Sequence, residues 1–213
     1  MCTFVTMMNF SSQLITDAVS EFSKLPGIGQ KTALRLVLYL LKQPKEQVEM
    51  FSSVIKKMRE EIKYCKECHN YSDQDLCAIC SSSSRDRNKI CVVENIRDII
   101  AIENTSVYTG LYHVLGGVIS PVDGIGPDQL FIESLLLRIE KENCTELIMA
   151  LNPNMEGDTT LFYISKRLKD KRIKITSIAR GVAFGGELEY TDDLTLARSF
   201  TSRLPFENYL VGG

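Results

Sequence analysis

No stretch of this sequence approaches the ~20 consecutive apolar residues that a membrane-crossing helix needs, so no membrane partner is expected. No secretory leader is expected either. Residues 1–10, MCTFVTMMNF, are mildly apolar but lack a basic start and a long apolar run. Bulk positive charge is missing: Lys and Arg number 25 against 27 Asp and Glu, for a net charge of -2. That argues against a chain that is basic all over, and leaves room for a local basic patch, because binding depends on where charge sits. A complete set of cysteine pairs is also lacking. Seven cysteines and no leader fit a reducing cytoplasm better than a disulfide scaffold. A phosphate-gripping G-x-x-x-x-G-K-[ST] loop is absent, so no ATPase is expected. Internal repeats are absent, and low complexity is confined to the short serine run 81–84. What remains is ordinary globular composition, 213 residues that are 44% hydrophobic and 24% charged, enough for one large or two small domains.

The most informative stretch is 65–80, CKECHNYSDQDLCAIC. It holds two C-x-x-C pairs, Cys65/Cys68 and Cys77/Cys80, with eight residues between them. Four thiolates at this spacing close a tetrahedral shell around one Zn2+ ion. The loop between the pairs is polar and cannot build a core of its own, so the metal would supply the folding energy. A closed four-sulfur shell has no open position for water, which makes the ion structural. His69 stands in the same stretch as a rival ligand, and a redox C-x-x-C is the bland alternative.

Upstream, Ser11 or Ser12 is expected to cap a helix running to about Lys24, with Leu14, Ile15, Ala18, Val19 and Phe22 as one buried stripe. Leu25-Pro26-Gly27-Ile28-Gly29-Gln30-Lys31 ends that helix and leads into another over 32–41. Two glycines flanking one apolar residue between helices describe a helix-hairpin-helix. Gly27 and Gly29 let the backbone approach a phosphate closely, and the amides opening the second helix point outward at it. Five cations (Lys24, Lys31, Arg35, Lys42, Lys45) and no acid lie between Ser23 and Lys45. Lys31 and Arg35 are four apart, hence on one helix face. Such a surface tracks phosphates without reading bases, so binding is expected to be sequence-independent and salt-sensitive. A plain helix turn with solvated lysines is the alternative. A third helix is expected from Pro44 to about Tyr64, with Phe51, Val54, Ile55, Met58 and Ile62 on one face.

Beyond a linker at 81–88, the pattern changes to apolar runs alternating with helical periodicity. Strands are expected at 90–93, 112–115, 146–151 and 173–178. Helices are expected at 95–103 (Ile96, Ile99 and Ile100 inward), from Pro127 or Asp128 to about Asn143, and at 158–170. This order implies a parallel sheet with helices on both faces. Sites on such sheets lie at the carboxyl ends of strands, where Glu94 and Asn152 would share one rim.

Glu94, Glu156 and Asp158 are the candidates for metal chemistry, because hard cations take oxygen ligands and two-metal phosphoryl transfer needs converging carboxylates. Solvated or capping carboxylates are the alternative. The segment Asn152-Pro153-Asn154-Met155-Glu156-Gly157-Asp158 resembles the Toprim motif of topoisomerases and primases, with Glu94 at the place of the glutamate that ends the first Toprim strand. Where that motif carries a magnesium-binding D-x-D, this chain has two asparagines. The expectation is therefore weak or absent Mg2+ binding and no strand cleavage, with a Toprim-type magnesium-dependent nuclease or primase-like enzyme as the alternative.

The order of hairpin, four-cysteine stretch and Toprim-like part resembles the RecR family of bacterial recombination mediators. The strings that carry the likeness are LPGIGQKTALRL, the paired C-x-x-C, ICVVENIRDIIAIE, DGIGPD, NPNMEGD and ARGVAFGGELEYTDDLTLARS. The resemblance implies a role in recombinational DNA repair without catalysis, as an oligomeric clamp of dimer-to-tetramer ring form. It would bind single- and double-stranded DNA and work with RecO and RecF type proteins to load recombinase on single strands. It also implies DNA contact through Lys31 and Arg35, to which Lys24, Gly27 and Gly29 add the hairpin, and partner docking through Glu94, Glu156 and Asp158. The segment from Arg180 through Glu189 resembles the family's C-terminal Walker B-like motif and is taken as packing or subunit contact. Asp158 departs from the family's usual glutamate. The parts so expected are 1–64 (helix-hairpin-helix), 65–88 (zinc finger and linker), 89–178 (Toprim-like) and 179–213 (C-terminal segment and tail).

Overall fold

The computed structural model describes residues 11–182, 185–203 and 205. The opening residues 1–10 and most of the tail after Arg203, on which sequence expectations also fell, lie outside them. The chain divides into two compact units, Met1–Ile62 and Lys63–Gly213.

The first unit is helical: α1 (Gln13–Ser23), α2 (Gln30–Leu41) and α3 (Lys45–Glu61). Val19 from α1 and Ala33 and Val37 from α2 form its buried centre, with Ile15, Ala18, Phe22, Ile28 and Leu34 packed on it. Leu14, expected in the buried stripe, is 82% exposed, because the stripe starts one residue later. The third helix stops at Glu61, short of Tyr64, because the chain turns extended at Ile62 (φ -61, ψ 134) and the next residues pair as a strand. No residue of α3 is buried.

The second unit opens on a small antiparallel ladder, β1 (Lys63–Tyr64) with β2 (Tyr71–Ser72), followed by the short helix α4 (Ala78–Ser81). The main sheet is parallel: β3 (Asp86–Val93), β4 (Gly110–Val114), β5 (Glu146–Ala150) and β6 (Lys174–Ser177), in the order β4-β3-β5-β6. Its helices are α5 (Ile96–Glu103), α6 (Ile132–Lys141) and α7 (Met155–Arg167), and α8 (Asp193–Thr201) follows the sheet. Alternation along β3 splits the core in two. Ile90 and Val92 join Leu111, Leu147 and Met149 against Leu135 and Ile139 of α6 and Ile164 of α7. Cys91 and Val93 join Tyr112 and Val114 against Ile99 of α5. The apolar runs are continuous because both sheet faces are covered.

Several boundaries differ from the sequence expectation for local reasons. The expected linker over 81–88 ends in strand: β3 begins at Asp86, and the cations at its start are neutralised, Arg85 by Glu103 and Arg87 by Glu142. Ile100 faces out at 56% exposure, leaving Ile99 as the buried residue of α5. The helix expected from Pro127 starts only at Ile132. Pro127–Gln129 forms a 3-10 turn, and the Phe131 amide donates to the Leu115 carbonyl (3.0 Å), which holds the chain on the sheet first. Helix α7 starts three residues early, because Asn154 Oδ1 accepts from the Gly157 amide (2.8 Å) as an N-cap. Gly157 is required there: a Cβ would lie 2.1 Å from the Asn152 carbonyl oxygen.

Candidate metal centre and nucleic-acid interface

The hairpin lies within the first unit. Gly27 has φ +78, a left-handed conformation that side-chain-bearing residues rarely adopt, and it lets the Ile28 amide turn back to the Leu25 carbonyl (3.0 Å). Gly29 is the N-cap of α2 and has no side chain to occupy the free amides of the first turn. Among the described residues, a Cβ placed on either glycine would meet nothing within 4 Å, so bare backbone is left uncovered by them. Lys31 and Arg35 are exposed on α2, and among the described residues no carboxylate pairs with either. Lys24 is different: Glu21 pairs with it at 2.5 Å, one turn earlier on α1. The basic run read from the sequence began at Ser23 and so missed this acid. An exposed pair of this kind contributes little and yields readily to a phosphate.

The four cysteine sulfurs lie within 4.8 Å of one another, and among the described residues this is the group of metal-ligating side chains that converges. Cys65 and Cys68 are 0% and 1% exposed. Amides are aimed at the sulfurs as they are around thiolates: Cys77 N to Cys65 Sγ (3.3 Å) and Cys80 N to Cys77 Sγ (3.5 Å). Contact with the neighbouring Cys68 and Cys80 sulfurs holds the Cys77 thiol below its ordinary range, while contact with Cys77 pushes Cys68 up. Four dry sulfurs this close cannot all ionise unaided. A divalent cation resolves that conflict, so the donor set fits zinc. His69 is not part of the set. Its ring stacks on Phe131 at 3.9 Å, and Nε2 shares a hydrogen with Ser134 Oγ (2.8 Å).

The sulfur nest is built into the sheet. The Val114 amide at the end of β4 donates to the Cys68 carbonyl (2.9 Å), and Arg87 Nη1 donates to the Cys80 carbonyl (3.3 Å). Arg138 of α6, 3% exposed, donates to the Tyr112 carbonyl (2.5 Å) and to Cys80 Sγ (3.4 Å). Sequence reasoning missed Arg138. The available signal was a charge at 138 beside the apolar stripe of Ile132, Leu135 and Ile139.

The acidic residues are each engaged separately. Glu94, 9% exposed at the end of β3, accepts from the Asn152 amide through Oε1 (2.5 Å) and from Asn152 Nδ2 through Oε2 (2.8 Å). The shared rim read from the strand ends is therefore a direct bond. Glu156 accepts from Ser120 Oγ (2.7 Å), beside Asp123. Asp158 pairs with Arg180 (2.5 Å) and Arg198 (3.5 Å), both from the chain after β6. The two asparagines of the segment have structural employment: Asn152 clamps Glu94, and Asn154 caps α7.

Comparison with known proteins gives the same order of parts. Four family models match in succession: the RecR helix-hairpin-helix (residues 15–59), the RecR four-cysteine zinc finger domain (62–82), the Toprim domain (88–179) and the RecR C-terminal part (181–203). The chain is 58% identical over 197 residues to Recombination protein RecR of Amoebophilus asiaticus, covering 92% of this chain and 98% of the relative. It is 57% identical over 201 residues to Recombination protein RecR of Cytophaga hutchinsonii, covering 94% and 98%. It is 56% identical over 200 residues to that of Flavobacterium johnsoniae, covering 94% and 97%.

Proposed function

The chain belongs to the RecR family of recombination proteins, and from that premise we propose a non-catalytic DNA-binding mediator of recombinational repair. It binds single- and double-stranded DNA without sequence preference through Gly27, Gly29, Lys31 and Arg35, with Lys24 joining once it leaves Glu21. It acts as a homo-oligomeric clamp in the cytoplasm and works with RecO and RecF type proteins to load recombinase on single strands. The carboxylates Glu94, Glu156 and Asp158 serve that partner face. One Zn2+ per chain holds Cys65, Cys68, Cys77 and Cys80 as a structural element, and Mg2+ binding is weak or absent.

The observation that carries the non-catalytic reading is the Glu94–Asn152 clamp. Both oxygens of the carboxylate that would face a catalytic cation are spent on an amide side chain and its own backbone. A neutral amide there also brings no charge for a hard divalent ion. The oligomer is supported by α3, where Met50, Phe51, Val54, Ile55 and Met58 are all at least 45% exposed in the single chain. A solvated apolar helix face of that length is an interaction surface. A closed ring would also multiply the few phosphate contacts of one hairpin.

The test uses the purified protein with labelled single- and double-stranded DNA and Mg2+ or Mn2+. Binding without nicking is expected. Metal-dependent nicking that disappears in Glu94→Ala would replace this reading with a Toprim-type nuclease or primase-like enzyme. Mass in solution, measured for the native chain and for Ile55→Glu, tests the clamp. The native mass should be a multiple of 24.0 kDa, and the variant should fall to a smaller species. A native monomer that binds DNA tightly at moderate salt would remove the oligomeric account.

A further inference from the structure

Arg138 poses a problem that the fold alone does not solve. A guanidinium with 3% exposure costs several kcal/mol unless it is paired and fully bonded. Here its Nε has no hydrogen-bond partner among the described residues. Glu67 Oε2 is 3.9 Å away, but Glu67 also holds Lys141, so one carboxylate is divided between two cations. Glu142 lies close enough to feel Arg138, but both of its oxygens are bonded to Arg87, and the imidazoles of His69 and His113 bring no negative charge. What the guanidinium does touch is sulfur, Cys80 Sγ at 3.4 Å.

A divalent ion with four thiolates is a dianion. Resting on the zinc reading above, we propose that Arg138 is the positioning residue of the metal centre. Its buried charge compensates the metal-thiolate dianion, and its N–H bond to Cys80 Sγ fixes that ligand and damps its reactivity. The compensation is mutual. The cation stays buried because the thiolates are charged, and the thiolates keep the metal because a cation faces them from α6. Nη1 donates to the Tyr112 carbonyl, so the same side chain ties the metal knuckle to the centre of β4. Outer partners of this kind alter metal affinity about 10–100-fold.

The test uses the full chain, first assayed for zinc and then loaded with Co2+ in its place. Arg138→Met, Arg138→Lys and Lys141→Met are compared with the native protein. Two readouts report on the sulfur itself: the energy of the sulfur-to-cobalt charge-transfer band, and the rate at which a thiol alkylator releases zinc. In Arg138→Met the band should move to lower energy and release should quicken about tenfold or more. Lys141→Met, which breaks the neighbouring ion pair to Glu67 without touching sulfur, should match the native protein on both. Unchanged band and release in Arg138→Met would overturn the proposal, and so would an equal shift in Lys141→Met, which would make the effect a loosened seam. Should Arg138→Met not fold, Arg138→Lys decides. One ammonium cannot reach both the Tyr112 carbonyl and Cys80 Sγ, so faster release supports the proposal and native release overturns it. A native protein that holds no metal would instead remove the zinc reading beneath it.

Discussion

The two units of this chain spend their apolar residues in opposite ways. In the second, both faces of the parallel sheet are covered by its own helices, and residues such as Ile90, Val92, Leu111, Leu135 and Leu147 are essentially inaccessible. In the first, Val19, Ala33 and Val37 form the buried centre, while α3 turns Met50, Phe51, Val54, Ile55 and Met58 to solvent. Among the described residues that centre is small for a unit of some sixty residues, where the margin over chain entropy is narrow. The sheet of the second unit is thus covered within one chain, and a metal would replace the core its cysteine loop lacks. Among the described residues the first leaves that face of α3 uncovered, and the proposed oligomer would cover it with a second copy.

Metal removal should separate the two most widely. Structural zinc in finger peptides contributes on the order of 10–16 kcal/mol, as much as the ~5–15 kcal/mol stability of a whole domain. A chelator, or Cys77→Ser, should therefore lower the thermal transition of the second unit far more than that of the first, as read by calorimetry with and without added zinc. Equal melting in both conditions would erase the distinction. The next largest contrast is between two apolar truncations. Leu135→Ala should cost ~2–5 kcal/mol in denaturant melts, since it opens a cavity in a closed core. Val54→Ala, 60% exposed in the single chain, should stay within ~0.5 kcal/mol once the protein is dissociated by dilution. A Val54→Ala cost that matches Leu135→Ala in the dissociated state would mean that α3 is already packed within its own chain.

Acid should also act on the second unit. His113 is fully buried, and its Nε2–H donates to the Phe131 carbonyl (2.9 Å). Burial, with help from Arg138 and His69, pushes its pKa from 6.5 to about 3. The unfolded chain therefore binds a proton below pH 6.5 that the folded chain refuses. Stability is intact above that value and falls as pH drops toward about 3, by up to ~1.4 kcal/mol per unit. Denaturant midpoints at pH 7 and 5.5 should differ more for the native protein than for His113→Gln, whose amide can still reach the Phe131 carbonyl. Equal shifts would show that the imidazole is not what acid attacks.

What the sequence revealed follows the same division. The paired C-x-x-C, the continuous run at 90–93 and the strand ends at Glu94 and Asn152 were legible because each is fixed by neighbours close in sequence or by the regular geometry of a parallel sheet. The position of Leu14 and the start of α6 were not, because they depend on which residues far along the chain the segment meets. The stripe of α6 hinted that Arg138 is buried, but its partner was illegible for the strongest form of that reason. Arg138 lies 58 residues from the sulfur it touches, and nothing at its own position marks a metal partner. The face of α3 was legible as a face, but periodicity is silent on whether the same chain or another covers it.

The smallest expected effect belongs to the hairpin, and it sharpens the comparison from the side of function. If the first unit is completed by association, its DNA contacts should be few per chain and additive across copies. Lys31 and Arg35 are exposed and, among the described residues, unpaired by any carboxylate, so replacing both by Ala should leave folding unchanged. Each phosphate contact contributes a slope of about -0.9 in log K against log salt for duplex DNA. The double variant should therefore flatten the salt dependence by about two for each hairpin that engages, with no change in sequence preference. The measurement is a titration of fluorescent duplex and single strand at several salt concentrations, for native and double-variant protein. A flattening of about two in total would mean that one hairpin engages per complex, whereas a multiple of two counts the copies that grip the strand at once. An unchanged slope would place the phosphate contacts elsewhere on the molecule and leave the bare glycine turn without a ligand.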